Sequence, residues 1–119
     1  IIWIRFSEHI KDLLNISNVF VLPSKYEGFG IVFLEAMLTN TPIISTNISA
    51  IPEVIKNNYN GILIEPDNLK QMILALRNIQ DKKLIKRFSI NSKKLLSNKF
   101  NIEIMYKKTN NTYCSILNI

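Results

Sequence analysis

One cysteine and one histidine, Cys114 and His9, leave the chain without the means for two kinds of chemistry. A lone thiol makes no internal disulfide, and its use fits a reducing cytosol. Two isolated ligand-type side chains do not form the spaced cluster that zinc requires. Long apolar runs are lacking: none approaches the ~20 residues that cross a bilayer, and no signal or transit segment is visible at the start. Any membrane contact is therefore expected by surface charge. Gly/Ser linkers, repeats and low-complexity blocks are missing as well, and 119 residues suit one small domain. Acids are scarce, nine against fifteen Lys and Arg, and the net charge of +6 favours polyanions: a nucleotide diphosphate, an anionic membrane or nucleic acid. The lysines gather late in the chain and do not interleave with aromatics along a groove, which argues against a nucleic-acid module.

What is present is an acid in a greasy segment. Glu35 lies among Ile31, Val32, Phe33, Leu34, Met37 and Leu38, eight positions after Glu27. A carboxylate in such company has to be paired, hydrogen-bonded or turned toward a cleft. The stretch before it runs from a short β-rich segment, Asn18 to Pro23, through a polar loop with Gly28 and Gly30 into a helix-forming run. Strand, loop and helix in that order place the loop at the carboxyl end of a parallel strand and open the helix with free N–H groups, a seat for phosphate. Gly28 and Gly30 let backbone approach a ligand closely. At ~1.5 Å rise per residue, Glu35 stands one to two turns inside the helix, so both acids can border one nucleotide-sized ligand, with Glu35 suited to a vicinal diol. The spacing is met equally well if Glu27 is a solvated loop acid and Glu35 salt-bridges a neighbouring element.

The remaining segments read as α/β. Ser7 is expected to cap a helix to about Ile16, with Glu8 in its first turn and His9 on its wet side. Asp67 is expected to cap a helix whose apolar face is Leu69, Met72, Ile73, Leu76 and Ile79. Another follows from Asp81 to about Asn98, apolar at Leu84, Ile85, Phe88, Leu95 and Leu96. Beyond Asn101 a last helix is weakened by Asn110, Asn111 and Thr112. Asn40 is placed for a left-handed position after the motif helix.

The run from Val19 to Met37, with Thr41–Asn47, Ile51-Pro-Glu-Val-Ile55 and Asn60–Asp67 in that order, resembles the donor-binding domain of family 4 glycosyltransferases, retaining enzymes of the GT-B fold. The resemblance covers about Ile2 to Leu96. It implies an α/β fold, part of a Rossmann-like parallel sheet with flanking helices, the later half of the GT-B C-terminal domain. It implies that Glu27 contacts the transferred sugar in the catalytic position. The backbone amides of Phe29, Gly30 and Ile31 then meet the sugar and diphosphate of a nucleotide-sugar donor, and Glu35 accepts its ribose hydroxyls. It implies metal-free transfer to a glycan or lipid-linked acceptor held by another domain. Arg5, Asn40 and the Ser49-Ala50 pair stand where the family often has glycine; at Ser49-Ala50 the added Cβ atoms remove freedom at φ > 0 beside the donor loop. Ile2–Arg5, Asn18–Leu22, Thr41–Ser45 and Gly61–Ile64 would be strands three to six of a sheet of order 3-2-1-4-5-6. The expectation is that residues 1–119 form a partial nucleotide-sugar-binding domain, a fragment with roughly half a site, and that 99–119 resemble the crossover to the acceptor domain. Two alternatives stand beside this reading: an inactive truncated remnant of such an enzyme, and a dinucleotide-binding unit. The latter is disfavoured by Phe33 at the third glycine position.

Overall fold

The computed structural model describes residues 1–117. Three parallel strands, β1 (Phe20–Leu22), β2 (Ile43–Thr46) and β3 (Ile62–Ile64), lie side by side in chain order. Phe20 pairs with Ile43 and Leu22 with Ser45, while Thr46 pairs with Ile64. Parallel neighbours need crossovers, supplied here by α2 (Ile31–Leu38) with the loops around it and by α3 (Ile51–Val54). Helix α1 (Ile10–Ile16) precedes the sheet, and α4 (Leu69–Asn78), α5 (Lys82–Asn98) and α6 (Ile102–Leu117) follow it.

Alternation along the strands divides the core into two layers. Phe20, Leu22, Ile43 and Leu63 pack with Leu14, Phe33, Ala36, Met37, Ile51, Val54 and Ile55 on one face. Val19, Val21, Ile44, Ile62 and Ile64 pack with Met72, Ala75, Ile79, Leu84 and Phe88 on the other. Helix α5 serves both: Leu84 and Phe88 belong to the second layer, Leu95 and Leu96 to the first. The central strand β2 is buried at every position, as expected for a parallel strand covered on both faces.

Several expectations are corrected. Ile2–Arg5 is not a strand; Ile1 to Phe6 are exposed. A strand exists only through a ladder neighbour, and among the described residues none flanks this segment. Ser7 does not cap α1. Its hydroxyl accepts from the His9 N–H at 3.0 Å, the helix begins at Ile10, and Asp12 rather than Glu8 occupies the first turn. Asp67 does not cap α4: it adopts φ 57°, and Asn68 accepts from the Gln71 N–H at 3.0 Å. The inward face of α4 is Met72, Ala75 and Ile79, whereas Leu69, Ile73 and Leu76 are exposed, because contact with β3 selects the face with the small Ala75 at its centre. The cap of α5 is as expected, Asp81 accepting from the Lys83 N–H at 2.8 Å.

Asn40 adopts φ 59° just past α2. Ser49 likewise sits at φ 49°, so the departure from glycine there is accommodated with the side chain exposed. Helix α6 runs through Asn110, Asn111 and Thr112 without a break. The Thr112 hydroxyl donates to the Lys108 carbonyl at 2.9 Å, so this polar side chain bonds along the helix instead of opening it. No described residue of α6 is buried, and the radius of gyration of 16.2 Å exceeds the ~13.5 Å expected for a compact chain of this length. The expected last segment, 99–119, is thus helical from Ile102 to Leu117, and its final two residues lie outside the described residues.

Candidate functional site

The loop between β1 and α2 leaves the carboxyl end of β1 at Pro23, which has no N–H to continue the ladder. It carries Lys25, Tyr26, Glu27, Gly28 and Phe29 and turns into α2 at Gly30, which adopts φ 70° and ψ 62°. A Cβ there would lie 2.6 Å from Cδ2 and Cε2 of Phe33, so both the left-handed backbone and the lack of a side chain are required. Gly28 is different. A Cβ on it would meet nothing within 4 Å, and its φ is not positive, so the fold itself does not demand glycine there.

This turn leaves the first amides of α2 open. The Phe33 N–H bonds to the Gly30 carbonyl at 2.9 Å, while among the described residues the N–H groups of Phe29, Gly30 and Ile31 have no acceptor. Open N–H groups with the partial positive charge of a helix start suit an anion. Phe29 holds the turn in place by packing its ring edge-on to Phe100, with centroids 5.9 Å apart. Lys99 lies over the same Phe100 ring at 5.1 Å and donates to the Glu53 carbonyl at 2.9 Å.

Glu27 and Glu35 are both partly buried. Glu27 borders the turn: its Cγ lies 3.3 Å from the point where a Gly30 Cβ would sit. The ion pairs among the described residues are His9–Asp12 at 3.6 Å and Lys25–Asp67 at 2.8 Å, so the salt bridge that would have made Glu35 structural is not formed there. His9 is solvent-facing as expected, but it stands just before α1 rather than on the helix.

Three contributors were invisible in the sequence. Ser45 and Thr46, at the end of β2, are buried and donate to the chain leaving β1: Ser45 to the Leu22 carbonyl at 2.7 Å and Thr46 to the Ser24 carbonyl at 2.5 Å. Their only sequence signal is a pair of hydroxyls closing an apolar strand. Asn60 is a third: buried, it accepts from the Lys56 N–H at 2.7 Å and donates to the Val54 carbonyl at 3.2 Å, which fixes the turn between α3 and β3. Gly61 beside it is sterically required, since a Cβ would lie 2.8 Å from Ile55.

A parallel sheet with helices on both faces and a strand–loop–helix unit opening at the carboxyl end of β1 defines a Rossmann-like α/β domain. The chain belongs to the family described as glycosyl transferases group 1, whose model matches residues 1–95. It is 35% identical over 108 residues to UDP-Gal:alpha-D-GlcNAc-diphosphoundecaprenol alpha-1,3-galactosyltransferase of Escherichia coli, covering 91% of this chain and 28% of that enzyme. Among solved structures it is similar to the C-terminal domain of the group 1 family protein LpcC from Francisella tularensis, with 34% identity, a TM-score of 0.72, and coverage of 86% of this chain and 53% of that one. It is also similar to TarM of S. aureus, solved in complex with Fondaparinux, alpha-GlcNAc-glycerol and UDP, with 27% identity, a TM-score of 0.80, and coverage of 89% and 22%. The chain therefore spans less than a third of the curated enzyme's length.

Proposed function

We propose that residues 1–119 are the donor-binding part of a retaining, GT-B glycosyltransferase of family 4, which moves a sugar from a nucleotide-diphosphate sugar to a glycan or lipid-linked acceptor. The observation that carries this reading is the left-handed Gly30, at a turn where the Phe29, Gly30 and Ile31 amides beside Glu27 have no acceptor among the described residues. In this reading those amides meet the diphosphate and sugar, and the helix start stabilises charge that develops on the leaving diphosphate. Glu27 contacts the transferred sugar. Glu35, which has no ion-pair partner among the described residues, accepts the ribose hydroxyls. The step is metal-free, so transfer is expected to survive chelation with EDTA.

Transfer also needs an acceptor-binding part and the other wall of the donor cleft, and the 119 residues alone are expected to show no transferase activity. Glycosyl transfer by the isolated chain would overturn that. A lipid-linked acceptor would bring the enzyme to the cytoplasmic face of a membrane, a contact that the net charge of +6 favours; no helix of the described residues is long and apolar enough to cross one. The UDP in the TarM structure and the UDP-galactose in the E. coli enzyme's name make uridine donors the first to try.

The test is a titration of uridine and guanosine diphosphate sugars against the full-length enzyme that contains these residues and its Glu35→Ala variant. Hydrogen bonds to a charged acceptor are worth ~1.5–3 kcal/mol, so the variant should bind the right donor roughly 10- to 150-fold more weakly. Equal affinity would make Glu35 a structural residue.

A further inference from the structure

We propose that Thr46, assisted by Ser45, is a positioning residue of the donor site, acting through the backbone of the loop that carries Glu27; this rests on the donor reading above. Strand β1 stops at Leu22, opposite Ser45, whereas β2 continues one residue further to Thr46, which pairs on its other side with Ile64. Past Leu22 the departing chain has no ladder partner, and Pro23 cannot donate one. The two hydroxyls replace the missing ladder. Ile43 and Ile44 belong to opposite core layers, so by alternation Ser45 lies on the α2 side of the sheet and Thr46 on the α4 side. Ser45 holds the Leu22 carbonyl and Thr46 the Ser24 carbonyl, from the two sides.

Both donors are nearly inaccessible, 0% and 2% exposed, so water does not readily take their place and their geometry is set by the core. At its far end the loop is held by Phe29 against Phe100. Between the fixed points Ser24 and Phe29 only four residues remain, Lys25 to Gly28, and Glu27 is one of them. The exposed Lys25–Asp67 ion pair adds a third contact, one that solvent and salt weaken. Rigid support of this kind keeps a reacting group in its productive geometry without touching the ligand.

Trypsin reads the tether directly, because Lys25 lies one residue beyond Ser24 and cleavage requires the loop to open. In the full chain, Thr46→Val, which keeps the shape and deletes the hydroxyl, is expected to speed cleavage at Lys25–Tyr26 about tenfold, and Thr46→Ser to restore resistance. Cleavage after Lys56 and Arg77 should stay at the wild-type rate. The affinity for the uridine or guanosine diphosphate sugar that binds wild type should fall about tenfold in Thr46→Val and recover in Thr46→Ser. An unchanged Lys25 rate would overturn the proposal. So would a rise shared by all three sites, which would make Thr46 a general core residue, or a loosened loop with unchanged donor affinity. Failure of wild type to bind either donor would overturn the donor reading instead, and with it the assignment of Thr46 to a donor site, while the cleavage rates still decide whether Thr46 tethers the loop.

Discussion

Replacing Gly30 with alanine tests the geometry of the site at its tightest point. The left-handed backbone at φ 70° disfavours any Cβ by ~1–2 kcal/mol. The new atom would also lie 2.6 Å from two ring carbons of Phe33, a fully buried side chain. The ring cannot simply turn away, since it packs edge-on to Phe20 at 6.1 Å within the layer formed by α2 and the sheet. Overpacking of this kind costs about 1–3 kcal/mol. The sum, roughly 2–5 kcal/mol, is a large part of a small domain's stability. Urea unfolding followed by circular dichroism should show the midpoint falling while the slope stays constant. Gly28→Ala is the internal control: with nothing within 4 Å of its Cβ it should change stability by less than ~0.5 kcal/mol. A Gly30→Ala loss below about 1 kcal/mol, or one equal to that of Gly28→Ala, would refute the argument that fold and not ligand demands glycine at position 30.

Asn60→Ala leaves the Lys56 N–H and the Val54 carbonyl without their partner in a buried turn, and should destabilise by ~2–4 kcal/mol in the same urea assay. Lys25→Ala removes an exposed ion pair and should alter stability by less than ~1 kcal/mol, with the difference fading in high salt. Glu35→Ala should weaken binding of the right nucleotide sugar by a factor of roughly 10–150, as isothermal titration will read. Addition of EDTA to the active enzyme should leave the transfer rate unchanged.

Much of the layout is legible in one dimension. Three of the four strands expected, at Asn18–Leu22, Thr41–Ser45 and Gly61–Ile64, form with ends shifted by a residue or two. The segments around the motif helix, α4 and α5 are helical as their spacing indicates. Ile2–Arg5 fails as a strand because β structure is a property of a pair, and its own sequence supplies no neighbour. The caps at Ser7 and Asp67 are displaced because the residue that adopts the cap depends on how the chain enters the helix: Asn68, an equally competent neighbour, caps α4 in place of Asp67, whereas α1 starts after His9 with no side-chain cap at all. The stripe on α4 is misjudged in part for a related reason: Leu69, Ile73 and Leu76 have the right period, but the sheet takes the adjacent face.

What the sequence determined by itself is therefore local and periodic: the strand–loop–helix unit, the glycine at the turn, Glu27 and Glu35 at their spacing, and the order of motifs that marks the family. These follow from short-range sterics and from repeats of two and 3.6 residues, which need no partner to be read. What only the tertiary structure decided is which groups are left without partners and which are held. Among the described residues Glu35 forms no ion pair, while the edge contact of Phe29 with Phe100 and the grip of Ser45 and Thr46 on the chain leaving β1 join residues more than twenty positions apart. Side-chain hydrogen bonds of that kind carry no period, and they exist only once parallel pairing has set β1 beside β2 in one register.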